Sequence, residues 1–244
     1  MNSKMVSEKS VLVLFIVQFL CCFGKRDLLS KPVPKWPSRF LAEYTSTYKH
    51  TSGTFAVDVR PNRPASERIY FGDSTYDHLC STYYNHTPCI QLTTKGYRYL
   101  VFPEKNDCCK CCTYSHGDYL CGGPLSPEWV SNKTGNLIFL GIKDVKGRKC
   151  YKWDSRGLQN HSNFYYQFVD TGLPCEIDGL NYLRNPSEKA DDQYIFKENS
   201  FKFFVNESFF DVPTICENSR YCGGRVCAIA PDHSKPPPVL KYKV

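Results

Sequence analysis

The chain has 244 residues, 41% hydrophobic and 15% aromatic, and 31 Lys and Arg against 24 Asp and Glu give a formal net charge of +7. This balance excludes a disordered chain and a polytopic membrane protein, and the length fits one large domain or two small ones. No Gly-X-Y period, heptad run or long low-complexity tract is present.

Lys4 and Lys9 precede an apolar run over residues 11–23, interrupted only by Gln18. That run suits the core of a signal peptide, whereas a membrane span needs about 20 residues. Cys22 and Gly24 are the small residues of a cleavage site, so residues 1–24 read as a signal peptide and no stable membrane anchor is expected. Cleavage removes Cys21 and Cys22 and leaves twelve of the fourteen cysteines, an even number. Glycosylation sequons open at Asn85, Asn132, Asn160 and Asn206. Together these features predict a secreted or endomembrane-lumen glycoprotein. That compartment disfavours nucleic acid as a partner.

Residues 25–35 read as an extended leader. Over 40–48 the pattern is ambiguous: alternation suggests a strand, while Trp36, Phe40, Tyr44 and Tyr48 repeat at helical spacing. Strand signals then dominate, at 54–59, 68–71, 89–94 and 97–102, with Lys95-Gly96 as a tight hairpin turn. Further strands are predicted at 137–142, 150–153, 164–169, 173–177, 193–196 and 201–205. Ser126-Pro127-Glu128-Trp129 carries the start signals of a short helix running to about Lys133. Pro186-Ser187-Glu188-Lys189-Ala190 could make one more helical turn. The densest basic patch is Lys146, Arg148, Lys149 and Lys152, either a solvated hairpin or a contact for an anionic surface. Short strands with frequent turns predict one mostly β domain over 36–228, followed by a Pro-rich disordered tail at 229–244.

The string Cys108-Cys109-Lys110-Cys111-Cys112, with Cys121 nearby, is the most unusual in the chain. Metal, redox and disulfide chemistry all use such spacing, and the oxidising compartment favours disulfides. Adjacent cysteines point in different directions, so this loop can be stapled to several others. Candidate partners are Cys80, Cys89, Cys121, Cys150, Cys175 and Cys216. Cys222 and Cys227 are close enough to close a small loop around Gly223-Gly224.

The order of motifs resembles a known family. The Cys-rich string is followed by a Gly-Gly-Pro-x-x-Pro-Glu-Trp turn over 122–129, then Cys150-Tyr151-Lys152-Trp153 and Gly157-Leu158-Gln159-Asn160. Phe164-Tyr165-Tyr166 and Pro174-Cys175-Glu176 come next. Last is Ser208-Phe209-Phe210-Asp211-Val212-Pro213-Thr214-Ile215-Cys216. Over about 36–216 this is similar to the secreted, cysteine-rich proteins of protists and plants related to ependymin. The resemblance implies a half-barrel, a curved antiparallel sheet cupping an apolar pocket, as in bacterial lipoprotein carriers of the LolA and LppX type.

Two functions compete. The first is a carrier for a lipid or other hydrophobic small molecule, with a closed apolar cavity of at least a few hundred Å3. Its ligand residues would be Tyr97, Tyr99, Val101, Trp129, Phe139, Trp153, Phe164, Tyr166 and Phe168. Trp129 would cap the cup and Trp153 would mark a basic mouth. The same aromatics would equally serve as plain core. The second is an extracellular interaction or adhesion glycoprotein, pairing with another protein or with itself. It predicts an exposed apolar patch outside any cavity, or an open edge strand. No catalytic residue is expected: motifs for hydrolysis and phosphate binding are absent, and of the six histidines (50, 78, 86, 116, 161 and 233) His86 and His161 sit in sequons, His116 in a turn and His233 in the tail. Asp107 with Asp118, or Asp191 with Asp192, fall short of a calcium site, so neither metal nor cofactor is expected.

Overall fold

The computed structural model describes residues 31–47, 51–72, 80, 83–84, 87–113, 123–131, 137–156, 162–179 and 192–222. The chain divides after Val33, and Lys31, Pro32 and Val33 of the first unit are irregular. The helical reading of 186–190 and the proposed tail lie outside the described residues.

From Pro34 onward the described residues form a single twelve-stranded sheet. Its strands are β1 (Arg39–Ser46), β2 (Thr51–Asp58), β3 (Ser66–Phe71), β4 (Cys89–Thr94), β5 (Tyr97–Phe102), β6 (Asp107–Thr113), β7 (Leu137–Val145), β8 (Arg148–Arg156), β9 (Ser162–Phe168), β10 (Pro174–Gly179), β11 (Asp192–Phe196) and β12 (Arg220–Tyr221). Their order across the sheet is β12-β6-β5-β4-β3-β2-β1-β11-β10-β9-β8-β7. All pairs are antiparallel except the short β12–β6 contact.

The 40–48 segment is a strand. Phe40, Ala42, Tyr44 and Ser46 are all buried on one side, a period of two that a helix would break. The hairpin turns at Lys95-Gly96 and Lys146-Gly147 both have positive φ at their two central residues, the geometry that matches strand twist. Gly53 on β2 is required by close approach, because a Cβ there would collide with the Tyr70 carbonyl oxygen, which also accepts the Tyr44 hydroxyl.

Three elements differ from the sequence reading. The cysteine string is strand β6, with a bulge between its pairings to Arg98 and Tyr99. Residues 201–205 do not form a strand: Lys202 makes an isolated bridge to Leu41, and the chain then crosses the sheet, with Val205 and Phe210 packing on Ala56. The helix at Ser126 is a single 3-10 turn, Pro127–Val130.

The cysteine pairing follows from strand parity. Cys108 and Cys109 point to opposite faces of β6, and they bond Cys216 and Cys222, respectively. Cys80 bonds Cys89, Cys150 bonds Cys175, and Cys111 is disulfide-bonded as well. Cys222 is therefore taken by β6 and does not close a local loop with Cys227. Cys80, Cys89, Cys150 and Cys175 pair among themselves and not with the cluster. Such bonds mark an oxidising, non-cytosolic compartment.

Candidate functional site

One face of the sheet carries the main core. Phe40, Tyr44, Phe55, Phe71, Leu100, Phe102, Trp153, Tyr165 and Phe196 belong to one buried cluster, although they come from strands spread across the sheet. What lies over this face shows its curvature. The Leu125 amide donates to the Glu67 carboxylate on β3, 3.2 Å, while Ser155 on β8 donates to the Trp129 carbonyl, 2.7 Å. β3 and β8 are six strand positions apart, about 29 Å on a flat sheet at the usual spacing. The four peptide units from Leu125 to Trp129 reach at most about 14 Å. The sheet therefore bends around this segment, with the core on its concave side.

The cup is filled from within. Trp36 is 4% exposed. Its ring meets those of Phe40, Phe55, Trp129, Tyr165 and Phe196 at centroid distances of 5.1 to 6.4 Å, all edge to face. Its indole N–H donates to the Leu125 carbonyl at 3.0 Å. Trp153, 2% exposed, stacks on Tyr165 at 5.8 Å, and the Tyr165 hydroxyl donates to the Lys35 carbonyl. Burial pushes the Tyr165 hydroxyl pKa well up.

The nine residues expected to line a ligand pocket do not come together. Trp129, Phe139 and Trp153 are part of the concave core. Tyr97, Tyr99 and Val101 lie on the opposite face, with Ile90, Leu92 and Cys108, under Val212 and Ile215. Phe164, Tyr166 and Phe168 form a second outer cluster with Cys150, Cys175 and Ile195. Trp153 marks no basic mouth, because alternation on β8 puts it on the core side and its neighbour Lys152 outside, over the rings of Phe164 (3.8 Å) and Tyr166 (5.0 Å). Trp129 does sit over the cup, as part of the packing that fills it.

An open groove of about 530 Å3 runs beside Pro34, Lys35, Trp36, Pro37, Pro127 and Leu173. A smaller depression of about 180 Å3 on the outer face is lined by Thr45, Val145, Lys146, Arg148, Phe168 and Ile195, among others.

The outer face holds an unusual carboxylate. Glu176 is buried, accepts from the Gln193 amide at 2.6 Å, and has its pKa raised to about 7. Desolvation is the main cause; the Gln193 hydrogen bond opposes it, Asp178 adds to it, and Lys152 and Lys146 offset part. Burial raises Asp178 too and lowers Lys152. Asp107 accepts from the Tyr84 hydroxyl and from Arg220, which explains it as a structural acid. Among the described residues no cluster of His, Cys, Asp and Glu is arranged to hold a metal. Asp118, Asp191 and all six histidines lie outside those residues. Of the sequons only Asn206 is described: it is exposed and caps the turn Glu207–Phe210 through its side-chain oxygen.

The strand predicted at 137–142 is present as β7, but its place at the outer end of the sheet was not legible in the sequence. Among the described residues its sole neighbour is β8. Ile138, Leu140 and Ile142 are 46%, 43% and 54% exposed. Leu140 is the extra residue of a bulge between Phe139 and Gly141, where φ is +96°. The bulge shifts side-chain parity. Ile138 faces out, opposite Asp154, while Ile142 faces the core side, opposite Tyr151. The strand is therefore apolar on both sides along an edge that has no further neighbour among the described residues. No helix among the described residues is long and apolar enough to cross a membrane.

The chain matches no family model and no curated protein. Among solved structures it is similar to an uncharacterized conserved protein of Thermus thermophilus, at 11% identity and a TM-score of 0.43, covering 85% of this chain and 98% of that one. It is also similar to MucB, at 11% identity and a TM-score of 0.39, covering 76% of this chain and 61% of MucB. The MucA/MucB complex of Pseudomonas aeruginosa matches at 14% identity and a TM-score of 0.37, over 73% of this chain and 57% of that one. The chain thus spans less than two thirds of MucB. Similarity at these scores carries nothing about this chain's activity, and the fold stands on the register and curvature of its own sheet: a mostly β, disulfide-stapled half-barrel.

Proposed function

We propose that the protein is a secreted glycoprotein that binds an extended protein segment along β7, the open edge of its sheet. One observation carries this reading: three large aliphatic side chains exposed on a strand whose outer backbone groups have no partner among the described residues. Such an edge is a template for strand addition. The signal-like N-terminus and the sequons support secretion, and the disulfides suit it.

A hydrophobic ligand is the second reading, and the groove of about 530 Å3 beside Trp36 favours it, since that volume is within the range of ligand pockets. A ligand inside the cup itself would have to displace Trp36 and Trp129.

Native mass spectrometry of the protein secreted from eukaryotic cells, followed by solvent extraction, tests both. An apo mass that stays clean after incubation with mixed lipids is expected. A stoichiometric apolar molecule would overturn the edge reading in favour of the groove.

A further inference from the structure

We infer that the segment taken up by β7 has an unbroken apolar run preceded by acidic residues, and that it adds antiparallel as a further strand. This inference rests on the edge reading above and specifies the chemistry of the partner.

The apolar part follows from the bulge. An ordinary edge strand presents one apolar and one polar side, and its partner alternates accordingly. Here Ile138 faces out, Ile142 faces the core side and Leu140 occupies the bulge. A neighbour with strict alternation would set polar groups against one of these residues. A continuous run opposite Leu137, Ile138, Phe139, Leu140, Gly141 and Ile142 meets apolar surface on both sides.

The acidic part follows from charge. Beyond Ile142 the strand leads into a hairpin tip with four cations, Lys143, Lys146, Arg148 and Lys149, against one acid, Asp144. All five are exposed. Arg148 is already paired with Glu198 and lies 3.9 Å from Asp170, and Lys149 lies 3.7 Å from Asp144, but Lys143 has no ion pair among the described residues. The tip therefore attracts acids. A second copy of this chain, paired antiparallel, would set its Leu137 end and no acids beside the tip and would bring the same net charge of +7, so the complementary occupant is a different, acidic segment.

Direction follows from topology. Every pairing in the sheet except β12–β6 is antiparallel. In an antiparallel addition the N-terminal end of the incoming strand lies beside Val145, so its acids precede its apolar run.

The probes are three fluorescent peptides sharing a six-residue Val/Ile/Leu run: three acids before it, three acids after it, and three lysines before it. Titration of the full secreted chain, read by anisotropy, should favour the first peptide over the third by about ten-fold at low salt, the sum of three weak surface pairs. The preference should shrink at high salt. K143E with K149E should reverse it, and I138K with I142K should abolish binding of all three. Equal binding of the acidic and basic peptides, lost in I138K/I142K, would overturn the acidic chemistry and leave the edge reading standing. Equal binding of the first two peptides would overturn the antiparallel direction. No binding by any peptide, with circular dichroism unchanged, would overturn the inference. Wild-type self-association in sedimentation that I138K/I142K abolishes would do the same, with a second copy as the occupant.

Discussion

At one side of the sheet β12 contributes two residues, Arg220 and Tyr221, held on β6 by the Cys109–Cys222 bond and by an Arg220–Asp107 ion pair. At the other side β7 runs from Leu137 to Val145 with no neighbour beyond β8 among the described residues. The first edge is short, charged and covalently fastened, three devices by which proteins block unwanted strand pairing. The second has the bulge at Leu140 and, near its end, the exposed charges Lys143 and Asp144, but it exposes aliphatic side chains on both sides of the bulge. Among the described residues the sheet thus has one fastened edge and one apolar edge open to pairing.

The concave face between the two edges is core. Replacing Trp36 with Ala should then cost about 3–5 kcal/mol in denaturant unfolding, the range for emptying a buried tryptophan site. A cost below about 1 kcal/mol would return the cup to a ligand-binding role.

The fastened edge can be opened directly. Cys109→Ser with Cys222→Ser should lower stability by about 2–5 kcal/mol, because the bridge closes a long loop. It should also create a second open edge, visible as new self-association in sedimentation. Unchanged stability and a monodisperse variant would remove the contrast.

Glu176, on β10 between the two edges, supplies a pH test. Its folded pKa of about 7 exceeds its ordinary value of 4.5, so the folded state holds the proton more tightly than the unfolded one. The resulting stabilisation is full below about pH 4.5 and is lost as pH rises through 7, a swing of up to about 3 kcal/mol. Glu176→Gln should flatten thermal stability between pH 5 and 8. A wild-type profile already flat across that window would contradict this placement of the carboxylate.

The smallest effect is expected at the open edge. Ile138→Lys or Ile142→Lys should change stability by no more than about 0.5 kcal/mol, as for surface substitutions. A loss of 2 kcal/mol or more would mean that these side chains are packed and that β7 is no free edge.

Much of the sheet is legible from residue order. The strands at Cys89–Thr94 and Tyr97–Phe102 have the predicted bounds, because the alternation around Lys95-Gly96 leaves a single register open to a tight turn. Helical spacing of Trp36, Phe40, Tyr44 and Tyr48 competed with alternation over β1 and lost: Phe40 packs on Phe55 and Phe196, Tyr44 on Phe71 and Tyr194, Ala42 joins the same cluster, and only a strand puts all three on one side. The 201–205 segment has strand composition but crosses over the sheet, so Phe203 and Phe204 remain exposed.

The sequence by itself pointed to a disulfide-bonded chain outside the cytosol and determined the strand-rich class and most strand positions, since these depend on local signals: cysteine number, alternation and turn chemistry. Tertiary structure alone decided which face each aromatic joins. Alternation shows that Tyr97, Tyr99 and Val101 share a side but not which side is concave, and bulges at β6, β7 and β10 reset that parity. Cysteine pairing was likewise a matter of faces and long-range approach, as in the meeting of Cys109 and Cys222 across 113 residues. The open edge emerges last, because a strand is an edge only by virtue of its position in the completed sheet.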